Sequence, residues 1–158
     1  MRIRPATTAD IPAIITIGHR TWPQTYAFAG PDYIAHGLTT WWSPEAVERS
    51  LHNTTVLIAE NDNGPLGTGN IDLRAATAMI WKLYVVPEAQ GTGAGSALLT
   101  ELVRLAADAP VRLEYTHGNE RAARFYATHG FVELRREPSD QPGRPDTVWL
   151  ERPARAHQ

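Results

Sequence analysis

The run Leu83-Tyr84-Val85-Val86-Pro87-Glu88-Ala89-Gln90-Gly91-Thr92-Gly93-Ala94-Gly95-Ser96 constrains this chain more than any other segment. An apolar, β-branched stretch stops at a proline. Glycines follow at alternate positions, and Ala97 to Ala107 then reads as a helix rich in alanine and leucine. Strand, glycine loop and helix in that order leave backbone N–H groups unpaired at a helix N-terminus, where an anion can sit. The segment predicts a phosphate-bearing ligand beside the strand. Glycine is also the default residue of a strained turn, so a plain turn before a helix is the competing reading.

Spacing removes two glycine-loop chemistries. A dinucleotide fingerprint needs G-x-G-x-x-G. Counted from Gly91 its last position is Ser96, and counted from Gly93 it is Leu98. A P-loop needs Gly-Lys, a pair that occurs nowhere in the chain. What stands after the strand is Gln90-x-x-Gly93-x-Gly95. A second segment, Asn119-x-x-Ala122-x-x-Phe125-Tyr126-x-x-x-Gly130-Phe131, follows another apolar stretch, Val111 to Tyr115.

Together, in this order and at this separation, the two segments resemble the GNAT superfamily of N-acetyltransferases. The family's coenzyme A loop, Q/R-x-x-G-x-G/A, is matched at Gln90, Gly93 and Gly95. Its N-x-x-A-x-x-F-Y-x-x-x-G-F segment is matched at each named position. The close match covers about a third of the chain, and the N-terminal part is similar only in its order of elements.

The 158 residues suffice for one domain with a real core, expected over 1–152 with a flexible tail from Pro153 to Gln158. Hydrophobic content of 42% and charged content of 20% are those of an ordinary globular protein. No apolar run approaches the ~20 residues of a membrane span. Met1-Arg2-Ile3-Arg4-Pro5 lacks the apolar core of a secretory signal, so a cytoplasmic location is expected. A net charge of −2 speaks against a nucleic-acid partner. With no cysteine there is no disulfide framework and no thiolate nucleophile. His19, His36, His52, His117, His129 and His157 show no metal-ligand spacing, so no metal is expected.

Along the chain, Ile3 to Ala6 reads as a strand. Thr7, Thr8 and Asp10 supply N-cap oxygens, and Pro12 stands in a first helical turn. Ile11, Ile14, Ile15, Gly18 and Trp22 share a helical face, and Pro23 is expected to end that helix. Gly30-Pro31 breaks the chain, and Ser43-Pro44-Glu45 starts a helix running to about His52. Thr55 to Glu60, Leu66 to Leu73 and Thr77 to Val86 form an antiparallel meander with a turn at Asn61 to Pro65. Asn119 caps a helix that Gly130 terminates, and Phe131 to Arg136 with Thr147 to Glu151 closes the sheet as a hairpin. This order is α+β with a mixed sheet. The resemblance implies the GNAT fold. In it the sheet is mostly antiparallel with helices on both faces, and a V-shaped splay between the central strands receives coenzyme A.

The resemblance also implies roles. Gly91, Thr92, Gly93, Ala94, Gly95 and Ser96 would hold the diphosphate on backbone N–H groups. Gly91 and Thr92 depart from many relatives, which carry a cation there. Leu83, Tyr84 and Val85 would pair with the pantetheine arm, and the N–H of Leu83 or Val85 would meet the thioester carbonyl as an oxyanion donor. Gln90, Asn119, Ala122 and Phe125 complete the coenzyme site. Tyr126 is the candidate proton donor to the leaving thiolate, against the alternative of a packing tyrosine. Glu114 is the candidate base, directly or through water, against the alternative of an ordinary strand carboxylate. Other relatives carry that glutamate at the positions of Met79 or Trp81, where it is missing, and Asp72 and Glu60 are weaker candidates.

An acceptor pocket is expected from the early helices and the Glu137 to Asp146 loop. Its candidates are Trp22, Tyr26, Trp42 and Trp81, near Phe28, Tyr33 and Trp41. Adjacent residues cannot both face a core, so one of Trp41 and Trp42 is expected to be exposed or to line a cleft. The activity implied is transfer of an acetyl group from acetyl-CoA to a primary amine by direct attack in a ternary complex. A small-molecule acceptor is expected (polyamine, amino acid or drug-like amine). A catalytically silent acyl-CoA-binding sensor or partner module is the alternative, and a homodimer is compatible with either.

Overall fold

A computed structural model of the chain describes residues 1–155. Its strands are β1 (Arg2–Pro5), β2 (Thr55–Asn61), β3 (Gly64–Asp72), β4 (Ala78–Val85), β5 (Val111–Thr116), β6 (Val132–Glu137) and β7 (Thr147–Arg152). Its helices are α1 (Ile11–Thr25), α2 (Pro31–Trp41), α3 (Pro44–Asn53), α4 (Ala94–Leu105) and α5 (Glu120–Thr128). The strands form one sheet in the order β1-β2-β3-β4-β5-β7-β6. Every pairing is antiparallel except that of β4 with β5. Residues 153–155 carry no regular element, and the remainder of the expected tail, His157 included, lies outside the described residues. No helix among the described residues is long and apolar enough to cross a membrane.

Two cores sandwich the sheet. On one face Leu98, Leu99, Leu102 and Ala106 of α4 pack on Leu57, Ala59, Ile71, Ile80, Val111, Leu113 and Val148, with Phe125 and Tyr126 of α5 at the edge. On the other, Ile14, Trp22 and Tyr26 of α1 meet Trp42, Val47, Val56 and Ile58. The two buried tryptophans are seated by glycines. A Cβ at Gly18 would lie 2.2 Å from the Trp42 ring, and one at Gly37 would lie 1.9 Å from that of Trp22.

The expected elements are present within a residue or two, with two differences. Pro23 lies inside α1 rather than ending it, and the Tyr26 N–H still reaches the Trp22 carbonyl at 2.9 Å. The proline forfeits one helical bond, whereas the last turn buries Trp22 and Tyr26, and that burial outweighs the loss. The stretch after Gly30-Pro31 is a complete helix, α2, with Pro31 at its first position.

Two geometric features of β4 shape the middle of the sheet. The first is a bulge. Asn70 pairs with Lys82 and Ile71 with Ile80, so Trp81 has no partner across the ladder. An extra residue reverses the side-chain alternation. Ala78 and Ile80 face the α4 core, and beyond the bulge Leu83 and Val85 do so again, while Tyr84 faces α1. The second is a divergence. β4 and β5 pair only at Ala78, Met79 and Ile80 with Val111, Arg112 and Leu113, and then part, while β5 stays paired to β7 as far as Thr116.

The N-terminus is fastened by Arg4, which donates to both oxygens of Asp10 at 2.8 and 2.9 Å and to Glu60 at 3.0 Å. The Thr7 N–H also donates to Asp10 at 2.8 Å. Arg4 is the chief reason the Asp10 carboxyl is held down at about 2. A depressed carboxyl stabilises the fold above its unfolded value near 3.9 and loses that contribution as pH falls toward 2. Acid titration of the intact protein is therefore expected to lose on the order of 2 kcal/mol between about pH 5 and 2 through this group. Asp10→Asn should remove that increment, measured as the pH dependence of the urea midpoint.

Candidate active site

Where β4 and β5 part, two cavities open on either side of β4. The first, about 440 Å³, is lined by Leu83, Tyr84 and Val85, the loop residues Gln90, Gly91, Gly93, Gly95 and Ser96, and Asn119, Ala122, Phe125 and Tyr126 of the α5 segment. The second, about 450 Å³, is lined chiefly by Trp22, Tyr26, Tyr33, Trp41, Trp42 and residues of α3. Tyr26, Trp81, Lys82, Tyr84, Glu114 and Tyr115 line both, so the two are adjoining halves of one groove.

The backbone of the first half is built to receive an anion. Gly91 and Gly93 adopt φ of +81° and +92°, which side chains rarely allow. Gly93 caps α4 in this left-handed conformation, and the Ala97 N–H closes onto its carbonyl at 3.0 Å. The N–H groups of Ala94, Gly95 and Ser96 therefore start the helix without intrahelical partners. Two of the expected loop contributors do not line the cavity. Thr92 turns both its N–H and its hydroxyl onto the Ala89 carbonyl, and the Ala94 side chain is fully buried.

Along β4, the Lys82 N–H donates to Asn70 Oδ1 at 2.8 Å and the Val86 N–H to the Leu66 carbonyl at 2.8 Å, both toward β3. Strand alternation then turns the N–H groups of Leu83 and Val85 the other way, into the gap left by β5. Gln90 donates to the Val85 carbonyl at 3.2 Å on that side.

Asn119 accepts from the Ala122 N–H at 3.2 Å, capping α5 while lining the first cavity. Three phenols gather where the halves meet. Tyr26 and Tyr84 share a hydrogen bond of 2.8 Å, and Tyr126 lies close enough to interact electrostatically with both. Burial pushes all three hydroxyls above the usual tyrosine range, so they stay protonated near neutral pH. The Tyr126 hydroxyl makes no hydrogen bond among the described residues. Glu114 stands at the mouth of both halves, and its carboxyl is pushed up, chiefly by desolvation and secondarily by the charge of Glu137.

In the second half Trp22 and Trp42 form the buried wall, whereas Trp41 and Trp81 are about half exposed at the rim. Trp41 and Trp42 thus divide as adjacent residues must. The expected 137–146 loop does not line this half; it reaches the wall only through Arg144, whose guanidinium lies 5.9 Å from the Tyr33 ring. Ala46, Arg49, Ser50 and Asn53 of α3 take that place.

Two cations were not picked out from the sequence. Arg121, in the first turn of α5, lines the first cavity and donates to Gln90 Oε1, bridging α5 to the glycine loop. It stands near the loop positions that lack a cation of their own. Its signal was its place inside the Asn119 segment. Lys82 lies in the wall between the halves, and its nearness to Leu83 in sequence was the clue.

A family model described as an acetyltransferase (GNAT) domain matches residues 52–133, just over half of the chain. Solved structures share the whole architecture. PaiA N-acetyltransferase from Thermoplasma acidophilum, in complex with coenzyme A, superposes with a TM-score of 0.80 at 22% identity, over 94% of this chain and 96% of that one. The ribosomal-protein-S18-alanine N-acetyltransferase from Escherichia coli gives 0.80 at 21% identity, over 99% and 96%. A histone acetyltransferase HPA2-related acetyltransferase from Corynebacterium glutamicum gives 0.77 at 25%, over 98% and 97%. No curated protein matches the sequence. With the family model spanning both the glycine loop and the Asn119 segment, the chain belongs to the GNAT acetyltransferase family.

Proposed function

We propose that this protein transfers an acetyl group from acetyl-CoA to the primary amine of a small molecule, by direct attack within a ternary complex. The observation that carries this reading is the parted edge of β4. It turns two backbone N–H groups into a groove with an anion-receiving glycine loop at one end and an aromatic pocket at the other. The PaiA structure of the same fold holds coenzyme A, which supports placing the donor in the first half.

In this reading the diphosphate rests on the N–H groups around Gly93, with Arg121 supplying a positive charge. The pantetheine amides pair with Leu83 and Val85. The amine nitrogen attacks the thioester carbon, and the oxygen gains negative charge facing a β4 N–H group. The C–S bond then breaks. The sulfur takes a proton from Tyr126 as it leaves, and the nitrogen loses one to Glu114 or to water held by it. A raised carboxyl is the stronger base, and burial keeps the phenol protonated, so it holds the proton that the leaving sulfur needs. The chain has no cysteine, so no thioester on the protein precedes the transfer.

Release of free thiol from acetyl-CoA in the presence of amines tests the reading. Thiol release with no amine dependence would exclude it, and binding of acetyl-CoA without turnover of any amine would favour the silent module. Tyr126→Phe is expected to lower kcat by roughly 10²-fold or more while coenzyme A binding, read by calorimetry, changes little. Glu114→Gln should flatten the acid limb of the kcat/KM profile, a limb that in the native protein lies above the ordinary carboxylate range because Glu114 must lose its proton to act. Gly93→Val forces a β-branched residue to φ near +92° and should weaken coenzyme A binding by roughly tenfold or more.

A further inference from the structure

The chain contains one lysine against fourteen arginines, and that lysine is Lys82. Its Nζ donates to the Trp41 carbonyl at 2.5 Å, a free carbonyl at the end of α2, and lies 4.3 Å from the centre of the Trp42 ring. These contacts use one donor and one face of the ammonium, leaving its other donors for the groove. Burial lowers Lys82 to about 8, so it still carries its charge for most of the time at neutral pH. A guanidinium is broad and planar, whereas this corner between the Trp42 ring and the Trp41 carbonyl suits a compact charge.

Lys82 is accompanied in the second half of the groove by Arg49 of α3 and Arg74 of the β3–β4 turn, while Glu114 is the only carboxylate lining it among the described residues. Arg74 is neutralised by Asp72 at 2.7 Å. Arg49 makes no ion pair among the described residues; its neighbour Glu48 faces His52 at 3.9 Å instead. The uncompensated charge on this side is therefore positive, carried by the partly buried Lys82 and the exposed Arg49.

We propose that the acceptor is a zwitterion, a primary amine that also bears a carboxylate on an apolar or aromatic skeleton, with the carboxylate held by Lys82 and Arg49 and the amine turned to Glu114. This rests on the acetyltransferase reading and narrows its acceptor. The two ends of such a ligand answer the two signs of charge in the cavity. A volume of about 450 Å³ walled by Trp22, Tyr33, Trp41 and Trp42 suits an aromatic amino acid. A polyamine would bring further positive charge against Lys82 and Arg49 with one carboxylate to receive it.

The test compares L-phenylalanine, L-phenylalaninamide and spermidine as probes with acetyl-CoA present. Phenylalanine is expected to show a KM lower than that of its amide by roughly tenfold or more. This holds although the amide's amine is the less basic and so more often unprotonated. Arg49→Ala and Lys82→Met should each bring the two KM values together, with kcat moving less than KM. Arg49 is exposed on α3, so its loss leaves the core intact, which thermal melting checks. Equal or better use of the amide, preference for spermidine, or a carboxylate preference that survives both substitutions would overturn the proposal. If no probe releases thiol, a wider screen of amines decides the transferase reading separately. The charge proposal is then decided by calorimetry on the coenzyme A-loaded protein: tighter binding of phenylalanine than of its amide, lost in Arg49→Ala, upholds it, and equal binding overturns it.

Discussion

Everything in the groove follows from three residue pairs of parallel sheet and what happens after them. β4 and β5 hold together only from Ala78 to Ile80 opposite Val111 to Leu113. Past that point two strands in the centre of a seven-stranded sheet each present an unpaired edge. An unmet backbone donor or acceptor away from water costs about 1–3 kcal/mol, so a fold does not leave such an edge dry without use. In the proposed reading a ligand with amides along its length would restore the missing ladder. The strands part after Ile80, and the glycine loop and the start of α4 follow the end of β4 at Val85, so the anion-receiving loop lies at the C-terminal end of the gap.

The bulge at Trp81 is the second half of the same design. Had alternation continued from Ile80, Lys82 and Tyr84 would point into the α4 core and Leu83 and Val85 toward the acceptor cavity. One inserted residue exchanges them. The branched apolar side chains enter the core, and the ammonium and the phenol enter the groove. Beside the bulge, the Asn70 side chain accepts from the Lys82 N–H and donates to Thr54 at 3.1 Å. A buried amide so engaged fixes the strand where its direction matters most.

Much of this was legible in the sequence, and the boundary is physical. The glycine loop, the Asn119 cap and the apolar strands were readable because each rests on local chemistry: a positive φ at Gly93, an oxygen at a helix start, a β-branched run. The helix α2 was not assigned, because Gly37, Thr39 and Thr40 are weak helix formers and its stability comes from docking on Trp22, a contact distant in sequence. Pro23 misled because a local rule gave way to burial of Trp22 and Tyr26. Lys82 and Arg121 were passed over for a different reason. Where a strand residue points past a bulge cannot be counted from the sequence, and the approach of Arg121 to Gln90 depends on how α5 lies against the loop.

Charge along the groove has an order that suits turnover. Arg121 lines the first half by the glycine loop, Arg49 lines the second, and Lys82 lies in the wall between them. Between them lie neutral donors: two backbone N–H groups and three phenols kept protonated by burial. In the proposed transfer the developing oxyanion meets these neutral donors. Neutral donors aimed at that point stabilise the charge while it exists and lose most of their hold once sulfur is protonated, so the stabilisation is confined to the transition state. In the proposed mechanism Glu114, which lines both halves, takes the amine proton where donor and acceptor meet.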